Sequence, residues 1–251
     1  MIDPAADELY LNLAGRQFSI KQSPGLLQSS KDEGTTGAAV WQTSVRLAPW
    51  LAAPDNVLFR YEIIGKDSTV LELGSGAGSI VPCVLAPRVG KVIATDQQHV
   101  LKLLRANVDK NTAENIDDRG RRPDKRQVHD KIQIFALDWE EDDVPKQLAS
   151  KGLTDGVDLV VASDCLYNYA LIGPFVQTCV DICSLRKFAA GDDSERATVC
   201  LIAQHLRQAE VFEEWLTLAM KSFRIWRMPR ELLSDGLEGS SGFAVHVGIL
   251  R

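Results

Sequence analysis

A glycine-rich segment, ELGSGAG at residues 72–78, directly follows a β-rich run and precedes an apolar stretch. Glycines at the end of a strand let the backbone approach a ligand closely, and a following helix N-terminus adds a positive dipole. A dinucleotide fingerprint, GxGxxG/A, would require Gly or Ala where this chain has Ser79, and the Gly-Lys-Ser/Thr of a P-loop does not occur. The GxGxG spacing therefore predicts a ligand site that belongs to neither of those two classes.

The next two β-rich runs end in side chains that suit an adenosine ligand. Asp96 closes the second run, 22 residues after Gly74, where a carboxylate can accept both ribose hydroxyls. This placement fits NAD as well as S-adenosylmethionine. Asp138 and Trp139 follow the third run and put a carboxylate and an indole where an adenine ring would lie. The alternative that Trp139 only packs in the core remains open at this point.

Asp164 and Tyr167 leave the carboxyl end of the fourth β-rich run. In open α/β sheets this edge usually carries the chemistry. Amino-group methyltransferases of nucleobases have Asn/Asp-Pro-Pro-Tyr at this place, whereas here Cys165 and Leu166 replace the two prolines. The simpler interpretation, that both residues only cap a turn, also remains open.

Strands that alternate with helices must position these residues. Helical stripes, such as Val100, Leu104 and Val108, fall between several of the β-rich runs, and this alternation predicts a mostly parallel sheet covered by helices on both faces. The irregular connection at 229–242 predicts an antiparallel last strand. The seven runs are 69–73, 91–95, 132–136, 157–162, 197–203, 222–226 and 243–249.

Composition excludes several classes of protein. The longest apolar runs fall short of a membrane span, and the acidic start has no hydrophobic core of a secretory signal. A net charge of −6 makes a generic nucleic-acid binder unexpected. The five cysteines form no CxxC pair and the four histidines no cluster, so we expect reduced thiols, no metal site and a cytoplasmic protein.

Five motifs in order resemble one known family, the seven-β-strand protein-lysine methyltransferases of family 16, related to the methyltransferase-like 21 group. They are TTGAAVW at 35–41, ELGSGAG, VIATDQ at 92–97, ALDW at 136–139 and ASDCLYN at 162–168. Details of these motifs look most like the fungal ribosomal lysine methyltransferase 5 branch. The resemblance implies a Rossmann-like class I α/β fold, with residues 1–40 as an N-terminal extension packing on or near the core and 41–251 as the methyltransferase domain.

The resemblance also implies the cofactor, S-adenosylmethionine, and the residues of the site. Asp164 and Tyr167 correspond to the family's Asp-x-x-Tyr motif at the lysine channel and are the predicted catalytic residues. The predicted cofactor-binding residues are Trp41, Glu72, Gly74, Ser75, Gly76, Asp96, Asp138, Trp139 and Ala162.

The predicted function is protein-lysine N-methylation in the translation machinery, with a large-subunit ribosomal protein of the L1 type favoured as the substrate. An elongation factor or a chaperone is the alternative target. A small-molecule or RNA methyltransferase and a silent cofactor-binding protein remain as competing classes.

We expect a monomer with a protein partner, no membrane and no direct nucleic-acid substrate. The charged segment 117–131, with six Lys/Arg and four Asp, is either a solvated insertion or a docking loop.

Overall fold

A seven-stranded sheet carries the glycine-rich segment and the strand ends that the sequence singles out. The computed structural model describes residues 1–27, 35–112, 128–186 and 196–251. Its strands are β1 (Glu8–Leu13), β2 (Arg16–Lys21), β3 (Thr69–Leu73), β4 (Lys91–Asp96), β5 (Ile132–Ala136), β6 (Leu159–Ser163), β7 (Val199–His205), β8 (Phe223–Arg227) and β9 (Phe243–Leu250). Its helices are α1 (Pro24–Leu27), α2 (Gln42–Ala52), α3 (Val57–Arg60), α4 (Ile80–Leu85), α5 (Leu101–Thr112), α6 (Val144–Ser150), α7 (Tyr169–Ser184) and α8 (Ala209–Ser222).

The order of strands in the large sheet is β5-β4-β3-β6-β7-β9-β8. Neighbouring strands from β5 to β7 run parallel, and β9 pairs antiparallel with both β7 and β8. The predicted fold, including the antiparallel last strand, is confirmed. Because the chain continues from β3 to β4 on one side and returns as β6 on the other, a crevice forms at the carboxyl end of β3.

Hydrophobic cores cover both faces of this sheet, as the alternation of strands and helices predicted. Along β3, Val70 packs into the core on the side of α2, α4 and α5, whereas Leu71 packs into the core on the side of α6, α7 and α8. The predicted stripes lie where expected, since Leu104 and Val108 of α5 and Phe175 of α7 are buried. The strand ends are therefore held between two packed layers, which gives the side chains beyond them a rigid support.

An antiparallel hairpin of β1 and β2 occupies part of the N-terminal region. Two asparagine side chains on α5 form hydrogen bonds with the β2 backbone of the kind that a third strand would form. The Oδ1 atoms of Asn107 and Asn111 accept from the backbone N–H groups of Lys21 and Ser19, each at 2.9 Å. Their Nδ2 atoms donate to the carbonyls of the same two residues at 2.9 and 3.0 Å. These contacts satisfy the edge of β2 and attach the hairpin to the large sheet's helical layer.

Three sequence predictions concern features other than the sheet and its helices: the charged segment, the domain boundary and the absence of a membrane span. The charged segment 117–131 lies, apart from its last four residues, outside the described residues. The domain boundary at residue 40 stays a prediction. In the described part of the chain, no helix is both long and apolar enough to cross a membrane.

Candidate active site

A cleft with an empty volume of about 880 Å³ opens at the carboxyl ends of β3, β4, β5 and β6. Every predicted site residue except Ala162 lines it. Ala162 is completely buried in β6, and the next residue, Ser163, reaches the cleft instead. The cleft also takes in a segment that precedes and begins α2, with Thr36, Gly37, Ala39, Val40 and Ser44 among its lining residues.

The glycine loop is narrow because its surroundings leave no room for side chains. Gly74 has a φ of +63°, and a Cβ atom there would lie 2.9 Å from Cys165 Sγ and 3.5 Å from the Trp139 ring. Gly76 has a φ of +60°, and its N–H donates to Asp96 Oδ2 at 2.7 Å. Glycine is therefore required at both positions. At Gly74 the reasons are the positive φ and the contact that a Cβ atom would make with Cys165, and at Gly76 the reason is the positive φ.

Asp96 lies beside this loop at the end of β4. Its Oδ1 accepts from the N–H of Gln97 at 2.8 Å, so both oxygens receive a backbone hydrogen bond. Burial raises the pKa of this carboxyl, and the two backbone donors oppose that rise. The carboxylate is thus oriented along the lip of the cleft, where free lone pairs can accept hydroxyl groups.

Trp139 and Asp138 form the wall beyond β5. The half-buried Trp139 ring meets Phe175 of α7 edge to face, with 5.1 Å between the ring centroids. Asp138 Oδ1 accepts from the N–H of Glu140 at 3.0 Å, which stabilises the turn after the strand. The indole is therefore both packed against the core and open to the cleft, so the two interpretations of Trp139 do not exclude each other.

Glu72 brings a buried carboxyl to the floor of the cleft. The residue is 2% exposed, and its Oε2 atom has no hydrogen-bond partner among the described residues. Burial raises the pKa of Glu72 from 4.5 to about 8, and the nearby Asp96 charge contributes in the same direction. A hydrogen bond with Ser75 opposes the rise in the pKa of Glu72. The buried Oε2 atom without a partner suits a cationic or hydrogen-bond-donating ligand group.

We expect the stability of the ligand-free protein to depend on Glu72. Since its pKa is higher in the folded state, its contribution is fully present below pH 4.5 and is lost as the pH rises through about 8. Wild-type Tm should therefore fall from pH 5 to pH 8, and Glu72→Gln should reduce that fall by about 4 °C. Thermal unfolding at both pH values measures this, with the exposed Glu140→Gln as the control. An equal fall in both variants would contradict the expectation.

Asp164 is buried and already bonded on both oxygens. Its side chain is 2% exposed, and its Oδ2 forms an ion pair with Arg207 Nη2 at 2.9 Å. Its Oδ1 accepts from Gln204 Nε2 at 2.9 Å and from the N–H of His205 at 3.4 Å. The residue has a φ of +62°, a conformation that Asp tolerates better than most side chains. Asp164 therefore links the segment after β6 to the end of β7, and it lines the cleft.

Tyr167 follows Asp164 by three residues and is half-buried in the cleft. Burial raises the pKa of its hydroxyl, while a hydrogen bond with the Thr36 side chain opposes the rise. Thr36 also accepts, through its carbonyl, the indole N–H of Trp41 at 3.0 Å. Tyr167 and Trp41 are thereby tied to one short segment of the chain at the mouth of the cleft.

Sequence reasoning missed the residues that hold Asp164. Gln204 is 2% exposed and lies in β7, where its Oε1 accepts from the N–H of Leu166 and its Nε2 donates to the carbonyl of the same residue. Arg207 follows the same strand. Gln204 near the end of an apolar strand and Arg207 just after it were the available signal, but nothing in the sequence indicates which strand end these two residues face.

A family model described as lysine methyltransferase matches residues 20–190 of this chain. This chain belongs to the lysine methyltransferase family. Membership confirms the predicted family and kind of enzyme, and it implies S-adenosylmethionine as the methyl donor, as predicted. Among curated relatives, a ribosomal lysine N-methyltransferase 5 of Zygosaccharomyces rouxii is 30% identical over 237 residues, with 83% of this chain and 72% of that protein covered. Its counterpart in Candida glabrata is 28% identical over 255 residues, with 82% and 70% covered.

Another curated relative has the name of a deaminase and not of a methyltransferase. A diaminohydroxyphosphoribosylamino-pyrimidine deaminase of Schizosaccharomyces pombe is 31% identical over 225 residues, which cover 90% of this chain. The match extends over only 47% of that protein, so the chain spans about half of its length.

Solved structures share the fold at low sequence identity. A protein described as a methyltransferase and complexed with S-adenosylhomocysteine matches with a TM-score of 0.54 and 11% identity, over 98% of this chain and 57% of that one. A protein of Streptococcus mutans, described as an S-adenosylmethionine-dependent methyltransferase, matches with a TM-score of 0.52 and 11% identity, over 98% and 56%. At this identity the likeness shows the fold.

Proposed function

We propose that this protein is an S-adenosylmethionine-dependent protein-lysine N-methyltransferase that acts on a component of the translation machinery. The observation that carries the proposal is the arrangement of one cleft. The glycine loop, Asp96 and Trp139 would hold the adenosine part of the cofactor, and the neighbouring turn with Asp164 and Tyr167 would form the lysine channel. The names of the yeast relatives support a ribosomal protein as the target.

The residues present fit the cofactor. Gly74 and Gly76 leave a cradle that a Cβ atom would fill, and the Glu72 Oε2 atom, which has no hydrogen-bond partner among the described residues, lies at its floor. Asp96 would hold the ribose hydroxyls, and Trp139 would cover the adenine ring, with Asp138 beside it. Trp41 and Ser75 would enclose the remaining part. When bound, S-adenosylmethionine supplies a methyl group on a positively charged sulfur.

The part of the cleft that Asp164 and Tyr167 line must accept a neutral lysine amine. Lysine has a pKa of about 10.4 in water, so the channel has to favour loss of the proton through desolvation and neighbouring positive charge. The Tyr167 ring offers a wall that contacts the incoming cation and then the neutral amine. Because both Asp164 oxygens are bonded, we assign the removal of the proton to water and not to this carboxylate.

The cofactor assignment predicts selective ligand stabilisation. S-adenosylhomocysteine should raise the Tm of the purified protein by several degrees, since a ligand that binds only the folded state stabilises it, whereas NAD should leave Tm unchanged. The reason is the GxGxG loop, in which Ser79 stands where the dinucleotide fingerprint GxGxxG/A has its third Gly or Ala. Thermal unfolding with each ligand at the same concentration decides it. Equal stabilisation by both, or by NAD alone, would contradict the assignment.

The substrate assignment is tested by methylation in vitro. Folded recombinant large-subunit ribosomal protein of the L1 type and elongation factor 1A are offered side by side with labelled methyl donor, and each is also offered as peptides. We expect label on the L1-type protein and little on peptides, because a buried amine site favours a lysine presented on a particular surface. The net charge of −6 would steer a basic ribosomal protein, so the rate should fall with salt. A different labelled band in lysate would refute the substrate and leave the enzyme class intact.

A cytoplasmic, monomeric enzyme with a protein substrate completes the proposal, since its proposed target belongs to the translation machinery. Labelled RNA instead of protein in the same lysate would support the RNA methyltransferase class.

A deaminase function, which the name of the S. pombe relative would suggest, has no support in the residues. Zinc deaminases use a His-x-Glu with a Pro-Cys-x-x-Cys motif, and neither occurs in this sequence.

A further inference from the structure

Arg207 joins two chain segments across the mouth of the cleft. It follows β7, and its side chain is 34% exposed. One side of its guanidinium pairs with Asp164 at 2.9 Å, and its central carbon lies 4.6 Å from the centroid of the Trp41 ring. We call the chain of contacts from Asp164 through Arg207 to Trp41 the Arg207 bridge.

The Arg207 bridge closes a ring of contacts around the cleft. Trp41 donates to the Thr36 carbonyl, the Thr36 side chain bonds with Tyr167, and Tyr167 follows Asp164 by three residues in the same turn. The mouth is therefore framed by three segments, which precede α2, follow β6 and follow β7. A lysine side chain that reaches the floor of the cleft must pass beside this frame.

The charge of the Arg207 bridge bears on the protonation of that lysine. Asp164 alone would be a negative group beside the channel, and a carboxylate within about 4–6 Å of an ammonium favours the charged form. Methyl transfer needs the neutral form. The positive charge of Arg207 lies 2.9 Å from Asp164 and offsets the negative charge of the carboxylate. Asp164 then no longer favours the ammonium form of the lysine.

We infer that Arg207 is a positioning residue of the methyl-transfer reaction: it neutralises Asp164 so that the channel does not hold the lysine as an ammonium ion. Its planar guanidinium also fixes Trp41 at the mouth. This inference rests on the proposed function of the cleft. It assigns Asp164 a structural and electrostatic role and leaves Tyr167 as the wall that contacts the amine.

Other charged or titratable groups face the Arg207 bridge and remain unchanged in the test. His205 and the amino group of Met1 interact electrostatically with both Arg207 and Asp164, and Arg46 interacts with His205. Cys165 interacts with Asp164, and also with Asp96 and Glu72. Arg46 is a matched control, because its guanidinium lies 4.5 Å from the Phe243 ring centroid and donates to the Gly236 carbonyl at 2.8 Å without an ion pair to Asp164.

The test uses two cofactor analogues that differ in charge next to the channel. Sinefungin has an amine-bearing carbon in place of the methyl-bearing sulfur of S-adenosylmethionine, so its amine occupies the position of the methyl group, whereas S-adenosylhomocysteine has a neutral sulfur without a methyl group. In Arg207→Gln, the Asp164 carboxylate loses its ion pair, so its negative charge should favour the charged amine of sinefungin. The ratio of the Kd of S-adenosylhomocysteine to that of sinefungin should therefore rise about tenfold. Arg46→Gln should leave the ratio unchanged. Isothermal titration at pH 8 gives both constants.

Two more variants separate charge from folding. Arg207→Gln combined with Asp164→Asn should return the ratio to the wild-type value, and Arg207→Lys should preserve the ratio because it keeps the charge. A folding defect alone would weaken both analogues equally and leave the ratio unchanged. An unchanged ratio in Arg207→Gln, or an equal rise in Arg46→Gln, overturns the inference.

Kinetics provide a second readout on the full reaction. With L1-type protein as substrate, the acidic limb of the kcat–pH profile should move up by about one pH unit in Arg207→Gln and return in the double variant. Wild-type protein that binds neither analogue would refute the proposed function itself, whereas wild-type binding with an unchanged ratio in Arg207→Gln refutes only the role of Arg207.

Discussion

Replacing Gly74 by alanine is expected to weaken cofactor binding about 100-fold. A Cβ atom at this position would lie 2.9 Å from Cys165 Sγ, and the φ of +63° strains any L side chain. Neither neighbour can retreat easily, because Cys165 is buried and the Trp139 ring packs against Phe175. Titration with S-adenosylhomocysteine measures the affinity, and thermal unfolding measures the accompanying loss of stability.

Gly152→Ala is the matched control for Gly74. Gly152 has a φ of +75°, so the backbone strain is of the same kind, but nothing lies within 4 Å of an added Cβ atom. We expect this variant to lose a few degrees of Tm and to keep its cofactor affinity. Weakened cofactor binding in Gly152→Ala, or full affinity in Gly74→Ala, would show that contact with Cys165 and Trp139 does not shape the cradle.

Removing the Tyr167 ring is expected to reduce kcat/KM for the protein substrate about 100-fold, while the Kd of S-adenosylhomocysteine changes by less than about threefold. Tyr167 lines the cleft and contacts Thr36, so Tyr167→Ala removes a wall of the proposed lysine channel and keeps the glycine loop, Asp96 and Trp139. Since burial raises the pKa of the hydroxyl, it stays protonated at neutral pH and does not act as a base.

Tyr167→Phe and Asp164 variants refine this expectation. Tyr167→Phe keeps the ring and should retain much of the activity. Asp164→Ala should also impair transfer far more than cofactor binding, and Asp164→Asn is the milder change because Asn tolerates the φ of +62°. A loss of cofactor affinity as large as the loss of rate would place Tyr167 or Asp164 in the cofactor shell instead.

The N-terminal hairpin shows how a local signal can be present and still be overlooked. Leu9, Leu11 and Leu13 alternate with polar residues, which is a strand pattern, and Ala14-Gly15 forms the turn with positive φ at both positions. A two-stranded hairpin is marginal by itself, so the pattern alone did not establish a fold. The amide groups of Asn107 and Asn111 stabilise it from a helix about 90 residues away.

The sequence by itself determined the parts of this protein that depend on local chemistry. Hydrophobic periodicity predicted the strands and helices, and strand ends in a parallel sheet must meet at one edge, so Gly74, Asp96, Trp139 and Asp164 were expected together. Only the tertiary structure decided what each side chain does there. Gln204 and Arg207 reach Asp164 from another strand and bond both of its oxygens, a long-range pairing that no residue spacing encodes. Because a carboxylate that is already paired accepts a proton less readily than a free one, this contact supports the proposal that Asp164 does not remove the lysine proton.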